Sequence, residues 1–255
     1  MADGELAGIG VLVTRPEHQA AELADAIEVA GGRAVRFPAI EIVPRPEADV
    51  ASDAKSLQQP DIAIFVSANA VRLGSEYSGS ASVAAIGPAT AAAVEATGRT
   101  VDIRPAAGFD SMQLLAEPRM HDVAGKVVRI IRGNAGRELL AKTLRARGAT
   151  VEYLAVYSRQ ATRPDQAELE AVEQHWRSGG IDVVTIMSVE TLTNLVSILP
   201  ATCHELLRQT LLVTPAERVI IEANERFPGI SAELAEGTGA HDIVRAIARC
   251  APGNP

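Results

Sequence analysis

Aromatic residues are scarce in this chain: phenylalanine, tryptophan and tyrosine make up 3% of its 255 residues, whereas hydrophobic residues make up 47%. A core must therefore be built from alanine, valine, leucine and isoleucine. This aliphatic composition is typical of parallel sheets that are covered by helices on both faces. The length suits one large domain or two domains of ordinary size.

Cysteines, which could form disulfides or bind metal, are also few, and the histidines are not clustered. Cys203 and Cys250 are the only two cysteines, too few for a disulfide framework or for a cysteine-based structural zinc site. The five histidines are scattered and show no metal-ligand spacing. We therefore predict neither a metal site nor a cofactor.

An excess of positive charge is missing as well. The net charge is −8, and no basic arm or stripe is present, which argues against a nucleic-acid partner. No apolar run reaches the roughly 18 residues of a transmembrane helix, so no membrane partner is expected. The N-terminal stretch MADGELAGIG has neither the basic nor the apolar region of a secretory signal. These absences predict a cytoplasmic protein.

Several familiar catalytic motifs are absent. The sequence has no Gly-x-x-x-x-Gly-Lys-Ser/Thr loop for phosphates, no Gly-x-Gly-x-x-Gly after a strand and no Gly-x-Ser-x-Gly elbow. Nucleotide-dependent chemistry and serine-hydrolase chemistry of the usual kinds are thus not indicated. Strong acid–base machinery is not apparent either.

What the chain does contain is an internal duplication. Lys126–Arg159 has the same order of parts as Val11–Ile42: an apolar strand, a turn with arginine, an amphipathic helix, a glycine stop and a second strand. Equivalent positions in the two copies are Arg15 and Arg132, Gly31 and Gly148, and Ile40 and Tyr157. Constant spacing between the copies indicates a duplication rather than a chance likeness.

Alternation of strands and helices predicts an α/β fold, with two lobes that each hold a mainly parallel sheet flanked by helices. Ligands of such folds bind beyond the carboxyl ends of the strands, where turns offer unpaired N–H groups, hydroxyls and positive helix ends. Such turns hold carboxylates and phosphates well. The candidate binding residues at these turns are Thr14, Arg15, Ser67, Gly87, Thr90, Gly108, Arg132, Gly133, Ser188 and Thr214.

Each candidate also has a purely structural interpretation. Ser67 and Ser188 fit the role of helix N-caps, which serine fills often. Gly133 fits a simple turn, Arg132 fits a solvated helix face, and Tyr157 fits the surface of a strand. From the residues alone, both interpretations stay open.

Five motifs, in this order and spacing, resemble the uroporphyrinogen-III synthase family. They are VLVTRP, FVSANAV, AIGPATAAAV, GFDSMQLL and RGNAGRELLAKTLRARGATVEYLAVYSR. The resemblance covers nearly the whole chain from Val11. It implies two α/β lobes joined by two antiparallel linkers, with the active site in the cleft between the lobes.

Carried onto this sequence, the resemblance divides the chain as follows. Residues 1–37 plus 159–255 form the first lobe, residues 43–153 form the second, and Pro38–Ile42 and Leu154–Ser158 are the linkers. The repeats alone would instead have assigned one copy to each lobe. The exchange of the first strand–helix unit is supplied by the resemblance only.

The implied activity is that of a cofactor-independent cyclising hydro-lyase. The linear tetrapyrrole hydroxymethylbilane loses water and closes, with inversion of ring D, to uroporphyrinogen III. By resemblance, Ser67, Thr90 and Ser188 match the family's cleft hydroxyls, and Tyr157 matches a tyrosine placed to help the leaving hydroxyl depart. Hand-over of the substrate from hydroxymethylbilane synthase is a further expectation. The hydrophobic stripes are used up within the chain, which predicts a monomer.

One turn departs from the family pattern. Where the second copy should read Gly-Pro-Thr-Thr, the chain has Thr214-Pro215-Ala216-Glu217. Thr214 with Glu217, like Thr14 with Glu17, predicts a Thr-x-x-Glu capping box. A carboxylate near an anionic ligand leaves a non-catalytic tetrapyrrole or small-anion sensor as the alternative. A two-lobed periplasmic binding protein is a further alternative, opposed by the missing signal sequence.

Overall fold

The computed structural model describes residues 4–106, 108, 110–134, 136 and 138–250. The chain forms two compact units, one made of Met1–Glu41 with Gln160–Pro255 and the other of Ile42–Arg159. The strands are β1 (Gly10–Val13), β2 (Arg33–Arg36), β3 (Ile40–Pro44), β4 (Ile62–Phe65), β5 (Ser82–Ala85), β6 (Val127–Gly133), β7 (Thr150–Ala161), β8 (Val183–Thr185), β9 (Leu211–Thr214) and β10 (Ala232–Leu234). The α-helices are α1 (Glu17–Val29), α2 (Glu47–Ser56), α3 (Ala68–Gly74), α4 (Pro88–Ala96), α5 (Ser111–Ala116), α6 (Pro118–His121), α7 (Leu139–Ala146), α8 (Gln166–Arg177), α9 (Val189–Ile198), α10 (Ala201–Gln209), α11 (Glu217–Arg226) and α12 (Ala240–Cys250).

The discontinuous unit is built on a five-stranded sheet in the order β10-β9-β8-β1-β2. Its neighbouring strands pair in parallel. Leu12 packs into one hydrophobic cluster, whereas Val11 and Val13 pack into another. Since successive side chains of a strand point to opposite faces, both faces of this sheet are buried. Helix α1 buries Ala20, Leu23, Ala24 and Ile27, which recur at the three- to four-residue spacing of one helix face.

The continuous unit holds a second five-stranded sheet, in the order β3-β7-β6-β4-β5. The pairs β4–β5, β4–β6 and β6–β7 are parallel. Ile62 and Ile64 pack on one face, and Ala63 and Phe65 pack on the other. The predicted fold class, α/β with two mainly parallel sheets flanked by helices, is confirmed.

The two predicted linkers fall on strands that lie beside each other, β3 and β7. The division into compact units falls after Glu41 and after Arg159. Assignment of Pro38–Ile42 and Leu154–Ser158 as the linkers stays a prediction. Over the described ranges, no helix has the length and apolar character needed to cross a membrane.

The two predicted capping boxes are wrong. Helix α1 begins at Glu17 after Pro16, and no side chain caps its first turn. Thr14 is instead fully buried at the end of β1, where its hydroxyl donates to the Thr185 carbonyl. Helix α11 likewise begins at Glu217 without a side-chain cap. Both threonines lie at the ends of buried strands. Their hydroxyls form hydrogen bonds at the strand ends and do not cap the helices that follow.

Candidate functional site

A cavity of about 340 Å³ opens in the Ile42–Arg159 unit, where β4 and β6 end. It brings together three of the predicted site residues, Ser67, Arg132 and Tyr157. Asp110, Ser111 and Arg159 add further polar groups to its lining. The remaining lining residues are Val66, Ile86, Ile130, Gly136 and Leu140. Polar groups at the carboxyl ends of parallel strands, set among aliphatic side chains, are typical of ligand sites in such folds.

Tyr157 and Ser67 form a hydrogen-bonded pair in this cavity. The phenol oxygen of Tyr157 lies 3.1 Å from Ser67 Oγ, and either hydroxyl can donate. Ser67 Oγ also accepts the backbone N–H of Ala70 at 3.1 Å, so this serine is both an N-cap and a partner of the tyrosine. Tyr157 itself is only 2% exposed. The strand-surface interpretation of Tyr157 is therefore wrong, because the ring is buried with its hydroxyl at the cavity.

An irregular pairing between β6 and β7 influences the orientation of the Tyr157 ring. Arg132 is paired with Ala155, but Gly133 is paired with Tyr157, so one residue of β7 is skipped. Bulges of this kind bend a strand and redirect a side chain. A Cβ added at Gly133 would lie 2.7 Å from Tyr157 Cε2, closer than non-bonded atoms approach. Glycine at position 133 thus makes room for the tyrosine ring rather than serving only as a turn residue.

Arg132 is a nearly buried cation in the cavity wall, 7% exposed, and not a residue of a solvated helix face. Its guanidinium carbon lies 4.7 Å from the centre of the Tyr153 ring, within the range of a cation–π contact. Its Nη1 lies 3.4 Å from Glu138 Oε1. Glu138 in turn accepts the Tyr153 hydroxyl through Oε2 at 2.7 Å. A guanidinium held in this way can bind a carboxylate in the cavity.

The ionisation of the two neighbouring groups follows from these contacts. Hydrogen bonding from Tyr153, with a smaller contribution from Arg132, holds the pKa of Glu138 below its ordinary value. Partial burial, together with the bond to Glu138, raises the pKa of Tyr153 above its ordinary value. At neutral pH the pair therefore consists of a carboxylate and a protonated phenol.

Asp110 and Ser111 line the cavity, although Gly108 was the only residue of their turn among the predicted site residues. Asp110 is the N-cap of α5, and its Oδ1 accepts the backbone N–H of Gln113 at 2.9 Å. The N-cap pattern in GFDSMQLL was the signal that could have identified this residue. Arg159 had no comparable signal, because it lies near the end of a long strand.

Gly87 and Thr90 lie at the next strand-to-helix turn and are not part of the cavity lining. Gly87 is the N-cap of α4, which has Pro88 at its first position. Thr90 lies in the first turn of that helix and is 5% exposed. Only Ile86 of this segment reaches the cavity.

The other predicted site residues belong to the discontinuous unit, at the carboxyl ends of β1, β8 and β9. Thr14 and Thr214 are fully buried, and Thr214 Oγ1 accepts the backbone N–H of Ala216 at 3.2 Å. Ser188 caps α9 by accepting from Thr191 N at 3.1 Å. Arg15 Nη2 donates to the Thr238 carbonyl at 2.7 Å, and burial lowers the pKa of this guanidinium against the opposing effect of Glu22.

Within the described part of the chain, no three His, Cys, Asp or Glu side chains come together as a metal site would require. The cavity's own donor set consists of hydroxyls and guanidinium groups. These groups suit an anionic organic ligand rather than a cation.

Comparisons with known proteins identify the family. The family model described as uroporphyrinogen-III synthase HemD matches residues 21–226. A uroporphyrinogen-III synthase of Salmonella typhimurium is 36% identical over 229 residues, covering 85% of this chain and 91% of the relative. The Escherichia coli protein of the same name is 33% identical over 228 residues, with the same coverage.

Solved structures agree on the fold. A mutant uroporphyrinogen III synthase from Thermus thermophilus has a TM-score of 0.61 at 16% identity, covering 95% of this chain and 98% of its own. The Helicobacter pylori uroporphyrinogen-III synthetase also has a TM-score of 0.61, at 12% identity, covering 93% and 97%. At such low identities the likeness concerns the fold alone. The matches in sequence, over most of its length, show that this chain belongs to the uroporphyrinogen-III synthase family.

Proposed function

We propose that this chain catalyses the reaction for which its family is named. Hydroxymethylbilane would lose water and close to uroporphyrinogen III with ring D inverted. The observation that carries the proposal is the match of residues 21–226 to the family model, together with relatives at 36% and 33% identity. The cavity supplies groups that suit this chemistry.

Tyr157 is proposed to assist departure of the terminal hydroxyl. As the C–O bond breaks, its electron pair leaves with the oxygen, and the pyrrole nitrogen of ring A stabilises the remaining azafulvene cation. A phenol O–H that donates to the departing oxygen lowers the energy of that charge separation. The oxygen leaves as water after it takes up a proton, and the proton that the ring D α-carbon releases on final closure restores the balance. Ser67 supports the role because its hydroxyl, 3.1 Å away, holds the phenol before substrate binds.

The later steps depend on orientation more than on acid–base chemistry. The substituted α-carbon of ring D attacks the cation, a spiro intermediate forms, and it rearranges before final closure. Closure without an enzyme gives the un-inverted isomer, so ring D must be held in the reactive geometry. Orientation of this kind can contribute roughly 7–11 kcal/mol in favourable cases.

Arg132 is proposed to fix one of the substrate's eight carboxylates. Support comes from its low exposure of 7% and from its place in the cavity wall beside Ser67 and Tyr157. The wider binding set stays a prediction, and its support is the position of each residue at a strand-to-helix turn. That set consists of Thr14, Arg15, Gly87, Thr90, Gly133, Ser188 and Thr214.

Three further features are part of the proposal. A cytoplasmic location is supported by the composition, which includes only two cysteines. Direct hand-over from hydroxymethylbilane synthase is supported by the chemistry, since free hydroxymethylbilane closes spontaneously to the wrong isomer. A monomer is supported by the apolar helix faces, which pack into the chain's own cores.

The test couples the purified protein to hydroxymethylbilane production and separates the uroporphyrin isomers after oxidation. We expect type III product in the presence of the protein and type I in a matched reaction without it. Type I product alone would contradict the proposal. Tight binding of the substrate with no type III product would favour the non-catalytic sensor.

A further inference from the structure

The carboxylate of Glu138 contacts two partners, Tyr153 and Arg132, at different distances. Its carboxylate accepts the Tyr153 hydroxyl at 2.7 Å, but its contact with Arg132 Nη1 is 3.4 Å long. Bonds from a hydroxyl to a carboxylate are usually about 2.5–2.7 Å long, and those from a guanidinium about 2.7–2.9 Å. The bond to Tyr153 is thus of ordinary length, whereas the ion pair with Arg132 is present but longer than usual.

The side chain of Glu138 is not fixed by the helix that it precedes. Glu138 is the N-cap residue of α7, yet its side chain makes no capping hydrogen bond. The side chain is 49% exposed, whereas that of Arg132 is 9% exposed. The half-exposed carboxylate of Glu138 can rotate towards the nearly buried guanidinium of Arg132 at little cost. A full ion pair would then occupy N–H donors of Arg132 that could otherwise bind a ligand.

We propose that Tyr153 is a positioning residue that prevents Glu138 from closing on Arg132 and so keeps the guanidinium available for a substrate carboxylate. This inference rests on the proposed function, in which Arg132 binds the substrate. Tyr153 acts in two ways: its ring supports the guanidinium at 4.7 Å, and its hydroxyl retains Glu138 at 2.7 Å. A substrate carboxylate can then bind Arg132 while Glu138 keeps its hydrogen bond from Tyr153.

The variant Tyr153→Phe separates these two effects. Phenylalanine keeps the ring beneath Arg132 and Arg145, whose guanidinium carbon lies 5.6 Å from the ring centre, but removes the hydroxyl. Glu138 then loses its nearer partner and turns to Arg132. We expect KM for hydroxymethylbilane to rise about threefold to tenfold with kcat little changed, since the net contribution of one ordinary hydrogen bond corresponds to a change of this order.

A second substitution tests the cause. In the Glu138→Gln background the competing charge is gone, so adding Tyr153→Phe should leave KM where Glu138→Gln alone puts it. Tyr77→Phe is the matched control, because Tyr77 is also a tyrosine whose pKa is raised, by burial and by the neighbouring carboxylates of Glu76 and Glu47, and it lies outside the cavity lining. The control should leave KM unchanged.

Two outcomes would overturn the inference. One is a KM that rises equally with Tyr153→Phe in both backgrounds, which would indicate a purely structural role for the hydroxyl. The other is a KM that does not rise at all. Either result, obtained while the unmodified protein makes type III product, refutes the role of Tyr153 and leaves the proposed function intact.

A binding measurement keeps the two proposals separate. The probe is a monopyrrole that carries one acetate and one propionate group, and its dissociation constant is measured by NMR titration for the same set of proteins. The inference predicts weaker binding for Tyr153→Phe and recovery in the double variant, whichever isomer the enzyme assay shows. Unchanged binding across the set would overturn it. If the unmodified protein makes type I product alone, the proposed function fails by itself.

Discussion

Replacing Gly133 with alanine is the most direct test of whether the position of the Tyr157 ring matters. The added Cβ would lie 2.7 Å from Cε2, 3.0 Å from Cζ and 3.2 Å from Cδ2 of that ring. All three separations are shorter than the 3.4–4 Å of ordinary contact. Although the tyrosine is only 2% exposed, it borders the cavity, so its ring can relieve the contact by shifting into that space.

The size of the effect follows from these distances. Overpacking by one methyl group usually costs about 1–3 kcal/mol of stability. To relieve the contact, the ring must move by several tenths of an ångström. That shift stretches a bond to Ser67 that is already 3.1 Å long. Since a misplacement of about 1 Å can cost roughly a hundredfold in rate, we expect kcat to fall about tenfold for this smaller shift.

Gly74→Ala provides a matched control in the same unit. Its Cβ would lie 2.8 Å from Ile131 Cγ2 and 2.9 Å from Val156 Cγ1, so the overpacking is similar. Neither of these two side chains lines the cavity. Both variants should unfold at lower urea concentrations, but only Gly133→Ala should lose turnover and yield a larger share of type I product. If the two variants lose stability equally and both keep their turnover, the ring position does not govern catalysis.

Two other predictions concern the phenol and a buried charge. Tyr157→Phe should lower kcat by at least about threefold in the coupled isomer assay, because the departing hydroxyl loses its donor; an unchanged rate would remove Tyr157 from the mechanism. Arg129→Met should lower the free energy of unfolding, measured in urea, by about 3–5 kcal/mol. The carboxylate of Glu152 lies 3.7 Å from the Arg129 guanidinium, and the substitution leaves it without its counter-ion in a largely buried position. Arg129→Met combined with Glu152→Leu should recover part of that loss, and a loss as large as that of Arg129→Met alone would contradict the ion-pair explanation.

The sequence was sufficient to predict the α/β class and the position of the candidate residues along the strands. Val11, Leu12 and Val13 form a continuous apolar run, which is typical of a strand buried on both faces, and the structure confirms this. The helix stripes could also be read, because Ala20, Leu23 and Ile27 repeat at helical spacing. These features depend on local order along the chain, which a sequence displays directly.

The details of the cavity depend on contacts between distant residues, and the sequence could not show them. Tyr157 and Ser67 are 90 positions apart, and their hydrogen bond arises only because β7 and β4 lie in one sheet. The skipped residue opposite Gly133 has no sequence signature of its own. Val156 and Tyr157 pack into the same hydrophobic cluster, although a regular strand would place them on opposite faces.

The same limit explains the two wrong capping boxes. The Thr-x-x-Glu pattern is a local rule, and it assumes that the threonine hydroxyl is free to turn towards the helix. Thr14 is fully buried at the end of a central strand, and its hydroxyl donates to the carbonyl of Thr185 on the neighbouring strand. Bonding across the sheet therefore replaced the local cap.

An acidic protein that binds a polyanion must keep its own carboxylates from competing for the site. With a net charge of −8, long-range attraction cannot bring the substrate in. Salt screens charges beyond about 8 Å at physiological ionic strength, so local groups decide the outcome. Both carboxylates near Arg132 already have donors: Asp110 accepts the backbone N–H of Gln113, and Glu138 accepts the hydroxyl of Tyr153. Because each of these two carboxylates accepts a hydrogen bond from a group other than Arg132, we expect the guanidinium to stay available to a substrate carboxylate.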